Sequence, residues 1–108
     1  MISIEDRELF ERLVQAKGRE NQLNQAIEEL CELAVAIRHY IRGRRGSRHA
    51  MLKEVADVSI MLDQLLCILG EPDKWHDQDT ESLLRSFAAV RAGELARLRE
   101  RLDSGELA

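Results

Sequence analysis

The sequence predicts an all-α protein, and three observations carry that reading. Pro72 is the sole proline in 108 residues, so little interrupts helical hydrogen bonding. Leu, Ala, Glu and Arg are abundant, all good helix formers, whereas aromatic residues make up only 4% and leave little to support a sheet. Apolar residues also recur at steps of three and four, the spacing that lines one side of a helix.

Four helices follow in order. The first is expected from about Glu5 to Lys17, with Ser3 as its N-cap, Leu9, Phe10, Leu13 and Val14 as its packing stripe, and Gly18 as its stop. The second is expected from about Glu20 to Arg42, with Leu23, Ile27, Leu30, Leu33, Ala34, Ile37 and Ile41 facing inward. Residues 43–47 form a loop, and Ser47 is placed to cap a third helix from about Arg48 to Leu69. Gly70 and Pro72 end that helix, and residues 75–79 read as a polar linker. The fourth begins near Asp79 or Thr80, where Thr80 with Glu81 suits a cap, and runs to about Leu102. Residues 104–108 are expected to fray.

The chain reads as a single domain over residues 1–108, without an internal repeat. From Val55 to Leu69 the third helix is apolar around nearly its whole circumference, which implies burial on all sides. So short a chain has few helices to surround it. The economical architecture is a helical hairpin with flanking helices, completing a four-helix-bundle core on homo-oligomerisation.

A net charge of -4 argues against general nucleic-acid binding, which needs a positive field over the phosphates. No signal-like opening and no apolar run of roughly 20 residues occurs, so a cytoplasmic protein without membrane association is expected. Cys31 and Cys67 lie in apolar runs without zinc-type spacing, and read as buried free thiols.

The chemistry resides in four carboxylates set into the two most apolar stretches. Glu29 with Glu32, and Glu54 with Asp57, form ExxE and ExxD pairs, and residues three apart share one side of a helix. Counted from the intervening loop, Glu32 lies about 12 residues before its middle and Glu54 about 9 after it, so an antiparallel hairpin brings the pairs within two turns. A carboxylate among leucines must find a partner, take up a proton or bind a cation. Four oxygen ligands suit Mg²⁺, with Mn²⁺ as the alternative, ions that retain positions for phosphate oxygens. Zinc is disfavoured, because no histidine or cysteine stands at ligand spacing. In a chain with 20 acidic residues, solvated helix faces make the same spacing, and the pairing on adjacent helices is what favours a metal.

Residues 25–33, Gln-Ala-Ile-Glu-Glu-Leu-Cys-Glu-Leu, and residues 54–58, Glu-Val-Ala-Asp-Val, with 21 residues between Glu32 and Glu54, resemble the MazG-like family of all-α nucleoside triphosphate pyrophosphohydrolases. The similarity extends over roughly Gln22 to Leu69. It implies Mg²⁺-dependent cleavage of a nucleoside triphosphate to the monophosphate and pyrophosphate, in a homodimer or homotetramer. It further implies Glu29, Glu32, Glu54 and Asp57 as metal ligands, with Glu32 orienting or deprotonating the attacking water. Glu28 stands beside them as an outer partner or a surface residue.

Substrate contacts are less sharply marked. Gln22 and Gln25, one to two turns before Glu29, could reach a base or sugar edge, and Lys53 could pair with a carboxylate or a phosphate. Trp75, Tyr40 and His39 are the candidates for stacking on a base. Relatives often grip the triphosphate with a basic late helix, which points to Arg97 and Arg101, although Glu94 stands where a lysine often does. The basic run Arg38, His39, Arg42, Arg44, Arg45, Arg48 and His49 reads as a phosphate or partner contact, or as a solvated turn. The competing function is a non-catalytic helical oligomerisation or nucleotide-sensing module.

Overall fold

The computed structural model describes residues 2–72 and 79–106. Four helices succeed one another, α1 (Ile4–Lys17), α2 (Arg19–Ile41), α3 (Ser47–Gly70) and α4 (Thr80–Asp103), with no strand among the described residues. The expected elements are present within a residue or two of their expected ends. The chain divides into two compact units, Met1–Ile68 and Leu69–Ala108. Most of the expected linker, with Trp75 and His76, lies outside the described residues.

In the first unit, Ser3 caps α1 by accepting a hydrogen bond at Oγ from the Asp6 N–H at 3.1 Å. Phe10 is the buried residue of α1, while Leu9 stays half exposed. Gly18 joins α1 to α2 with φ of 90°, a left-handed conformation that costs glycine little. Its N–H returns to the Val14 carbonyl, and the Asn21 amide donates to the Lys17 carbonyl at 2.7 Å.

The α2–α3 turn places Gly43 and Gly46 at positive φ. Ser47 does not cap α3 from outside, as expected, but is its buried first residue. Gly46 ends the turn, and its carbonyl accepts the Ala50 N–H at 3.1 Å, so helical bonding begins one residue earlier.

The packed side of α2 differs from the apolar stripe expected for it. Gln22, Ala26 and Ala36 are buried and Glu29 and Leu33 half-buried, an arc at steps of four and three. Leu23, Ile27, Leu30, Ile37 and Ile41 remain exposed, Ile27 at 58% and Ile41 at 71%. Periodicity identifies apolar arcs but does not say which arc a single chain covers. On α3 the corresponding arc is Ser47, Met51, Glu54, Val58, Met61, Leu65 and Ile68. The all-round burial expected of α3 is not reached within one chain, because Val55, Ile60 and Leu62 are about half exposed. Neither cysteine is in a disulfide; Cys67 is buried, but Cys31 is exposed, since it lies off the arc through Ala26, Glu29 and Leu33.

In the second unit, a Cβ added to Gly70 would lie 2.7 Å from the Thr80 Cα. Only glycine permits that approach between the end of α3 and the start of α4. Asp79, rather than Thr80, caps α4, accepting at Oδ1 from the Ser82 N–H at 2.7 Å. The carboxylate suits this position because it accepts an otherwise unpaired helix N–H and faces the positive end of the helix dipole. Leu84 is buried, while Phe87, Val90, Leu98 and Leu102 are exposed. Of the C-terminal segment expected to fray, residues 104–106 form a turn and residues 107–108 lie outside the described residues. Gly105 takes φ of 80°, and the Glu106 N–H bonds the Arg101 carbonyl at 3.0 Å, closing the helix. No helix among the described residues is long and apolar enough to cross a membrane.

Candidate metal centre

Glu29 and Glu54 meet because each occupies a core-side position of its helix. They belong to the packed arcs of α2 and α3, and Asp57 lies one turn beyond Glu54. One carboxylate oxygen from each of Glu29, Glu54 and Asp57 lies within 4.8 Å of the others, and all three residues are half-buried. The short glycine-bearing turn at residues 42–46 sets the register of the two helices.

The oxygens of this cluster are differently occupied. Glu29 Oε1 accepts a hydrogen bond from Gln25 Nε2 at 3.0 Å. Lys53 Nζ donates to Asp57 Oδ2 at 2.8 Å and stands 3.9 Å from Glu54 Oε1. Glu29 Oε2 and Glu54 Oε2 are buried and have no hydrogen-bond partner among the described residues. An unmet buried acceptor costs about 1–3 kcal/mol, and more when charged. A cation or a proton would meet these two oxygens. The donor set contains only carboxylate oxygens, which fits a hard ion such as Mg²⁺ or Mn²⁺.

Glu32, the fourth expected ligand, is exposed and stands beside the three-residue cluster rather than within it. The charge of Glu29, then that of Glu54, then partial burial push its carboxyl above the ordinary glutamate range, against a smaller opposing effect of Lys53. Lys53 is held above the ordinary lysine range by its hydrogen bond to Asp57, then by the charges of Asp57 and Glu54.

A shallow groove of about 390 Å³ opens from these carboxylates. Glu32 and Glu54 line it together with Val35, Ala36, His39 and Ala50. Arg44 Nη1 lies 3.3 Å from His39 Nε2. The other arginines of the turn, Arg38, Arg42, Arg45 and Arg48, are exposed. Tyr40 borders a different recess, with Arg48, His49 and Leu52.

The remaining candidates fall in two places. Gln22, which is buried, and Gln25 line a polar recess of about 660 Å³ with Lys17, Asn21, Asn24 and Glu28. Arg97 and Arg101 belong to the second unit, where each forms an ion pair near its own position, Arg97 with Glu94 and Arg101 with Glu106. Gln64 was not marked by the sequence reading. It is 2% exposed and its Nε2 has no partner; an amide between Ile60 and Leu69, in the most apolar run of the chain, was the available signal.

Comparison with protein-family models, with curated proteins and with solved structures finds no match to this chain.

Proposed function

We propose that the protein is a Mg²⁺-dependent nucleoside triphosphate pyrophosphohydrolase resembling the MazG-like family, releasing a nucleoside monophosphate and pyrophosphate. The observation that carries the reading is the meeting of Glu29, Glu54 and Asp57 between two helices, with Glu29 Oε2 and Glu54 Oε2 buried and unpartnered. Glu29, Glu54 and Asp57 hold the ion, and Glu32 completes the set at its exposed edge. When bound, Mg²⁺ supplies positive charge for the phosphate oxygens and acidifies water.

The chain's own groups do the rest. Glu32 accepts the proton of the attacking water, a role suited to a carboxyl whose affinity for protons is raised by its neighbours. The groove beside Glu32 and Glu54 leaves room for substrate at the carboxylates. Lys53, already against Asp57, is placed to meet phosphate oxygens as well. Gln22 and Gln25 offer amides to the polar parts of the nucleoside.

The protein acts as a homodimer or homotetramer. Support comes from the exposed apolar arc of α2 and the uncovered half of α3, which a second copy would bury in a four-helix core. Housecleaning or control of the nucleotide pool, in the cytoplasm, fits this activity. A second reading is nucleotide binding without turnover, favoured by the engagement of Arg97 with Glu94 and of Arg101 with Glu106.

The deciding experiment incubates the protein with Mg²⁺ and a panel of nucleoside triphosphates and measures pyrophosphate and orthophosphate separately. Pyrophosphate release that disappears in Glu32→Gln and Glu54→Gln supports hydrolysis at the proposed bond. Orthophosphate alone, or nucleotide binding without turnover, refutes it.

A further inference from the structure

Both carboxylate-bearing helices carry a donor one turn before a cluster member. On α3 it is Lys53, bonded to Asp57; on α2 it is Gln25, bonded to Glu29. The two donors differ in charge, and that difference sets the balance of the site. Glu29, Glu54 and Asp57 are joined at the edge of the cluster by Glu32, and Lys53 is the cation set against them. A second cation at position 25 would offset more of that negative charge, whereas a neutral amide orients Glu29 without adding positive charge.

We infer that Gln25 is a positioning residue for metal binding, holding Glu29 through Oε1 and leaving the buried Oε2 for the ion. This inference rests on the metal reading of the cluster. Its geometry is specific: with Oε1 engaged at 3.0 Å, rotation of the Glu29 carboxylate is restrained and Oε2 is the oxygen left for the ion. Donors that orient metal-binding side chains typically change metal affinity by 10- to 100-fold when removed. Because Gln25 is exposed, losing its amide leaves the packed arc of α2 untouched.

The test compares the wild type with Gln25→Met, which keeps side-chain length and helix propensity but loses the N–H, and with Gln25→Ala. Mn²⁺ binding is measured without nucleotide by calorimetry or by the resonance signal of the free ion. Thermal unfolding is followed in chelator. Weakening of Mn²⁺ binding by about tenfold or more in both variants, with unchanged melting in chelator, is the expected result. In activity assays the Mg²⁺ concentration for half-activation should rise in parallel. Equal Mn²⁺ affinity in wild type and variants overturns the role of Gln25 while leaving the metal site standing. Weakened binding accompanied by lowered melting in chelator also overturns it, since Gln25 would then be supporting the fold. Failure of the wild type to bind Mn²⁺ overturns the metal reading itself.

Discussion

Replacing Glu54 with glutamine should reverse its effect on stability according to whether a divalent ion is present. Without metal, the wild type carries a half-buried carboxylate with one unpartnered oxygen, beside Glu29 and Asp57 and offset only by Lys53 at 3.9 Å. Glu54→Gln keeps the shape and removes the charge. Relief of an unmet buried acceptor is worth about 1–3 kcal/mol, and the loss of the distant Lys53 contact subtracts little. The variant in chelator should therefore be more stable by about 1–2 kcal/mol. With metal at a hundred times its dissociation constant, the wild type gains about 2.7 kcal/mol, and a variant lacking a ligand gains far less. At roughly 4–8 °C per kcal/mol for a domain of this size, wild-type melting should rise by about 10 °C or more. The assay is thermal unfolding by circular dichroism, in chelator and across a Mg²⁺ titration, at one protein concentration. The two melting curves should exchange order as Mg²⁺ is added. Equal Mg²⁺ shifts in both proteins, or a variant less stable than wild type in chelator, would refute the argument that these oxygens are kept for a cation.

Four further outcomes test other parts of the molecule. The raised Glu32 carboxyl binds a proton more tightly in the folded state, so it contributes stability below the ordinary glutamate range that is lost as pH rises through its folded value. Melting in chelator should accordingly fall over that interval, and Glu32→Gln should flatten the profile. Asp79 has the opposite sign: the Ser82 backbone N–H holds it below the ordinary aspartate range, so its stabilisation is present above that range and vanishes as pH falls through the folded value. Asp79→Ala should lower stability at pH 7 with Asp79→Asn close to wild type, and the difference should disappear in acid. Gly70→Ala should destabilise by about 1–3 kcal/mol in denaturant titrations, because overlap with the Thr80 backbone outweighs a helix-propensity gain of about 1 kcal/mol. Sedimentation should give a dimer or tetramer, and Val55→Asp or Ile60→Asp, each placing a charge on the uncovered side of α3, should yield smaller species.

The helices were legible in the sequence because their boundaries rest on local chemistry. Ser3 accepts from Asp6, Gly18 reverses the chain at positive φ, and residues 42–46 are too short and too rich in glycine to do anything but turn. The fourth helix shows where local reading loses precision: Asp79 and Thr80 are both good caps, and choosing between them requires knowing which side chain meets the Ser82 N–H. Burial was less legible. A stripe from Leu23 to Ile41 and the arc from Gln22 to Ala36 are neighbouring tracks on the same helix, and hydrophobicity favours the first. The single chain covers the second, with Gln22, Ala26 and Ala36 buried and Glu29 and Leu33 half-buried, and leaves the larger aliphatic residues of the first outward. The hydrophobic pattern thus includes a surface that one chain does not use.

That displacement bears directly on the candidate site. Had Leu23, Ile27 and Leu30 formed the inner side of α2, Glu29 would have been turned away from α3 and its partner oxygens would have been in water. Packing through Ala26, Glu29 and Leu33 instead presents a carboxylate where an aliphatic side chain would stabilise the hairpin more. The same substitution of charge for hydrocarbon occurs opposite, at Glu54 in the arc from Met51 to Val58. Two such losses at one height, each leaving an oxygen unpartnered, are poorly explained as chance surface acidity, because surface carboxylates are solvated and carry no such penalty. Gln25 occupies Glu29 Oε1 and Lys53 occupies Asp57 Oδ2, while Glu29 Oε2 and Glu54 Oε2 are the buried oxygens left unmet. The cluster thus places negative charge at the contact between two helices, and on the proposed reading a divalent ion would convert that repulsion into a bridge between them.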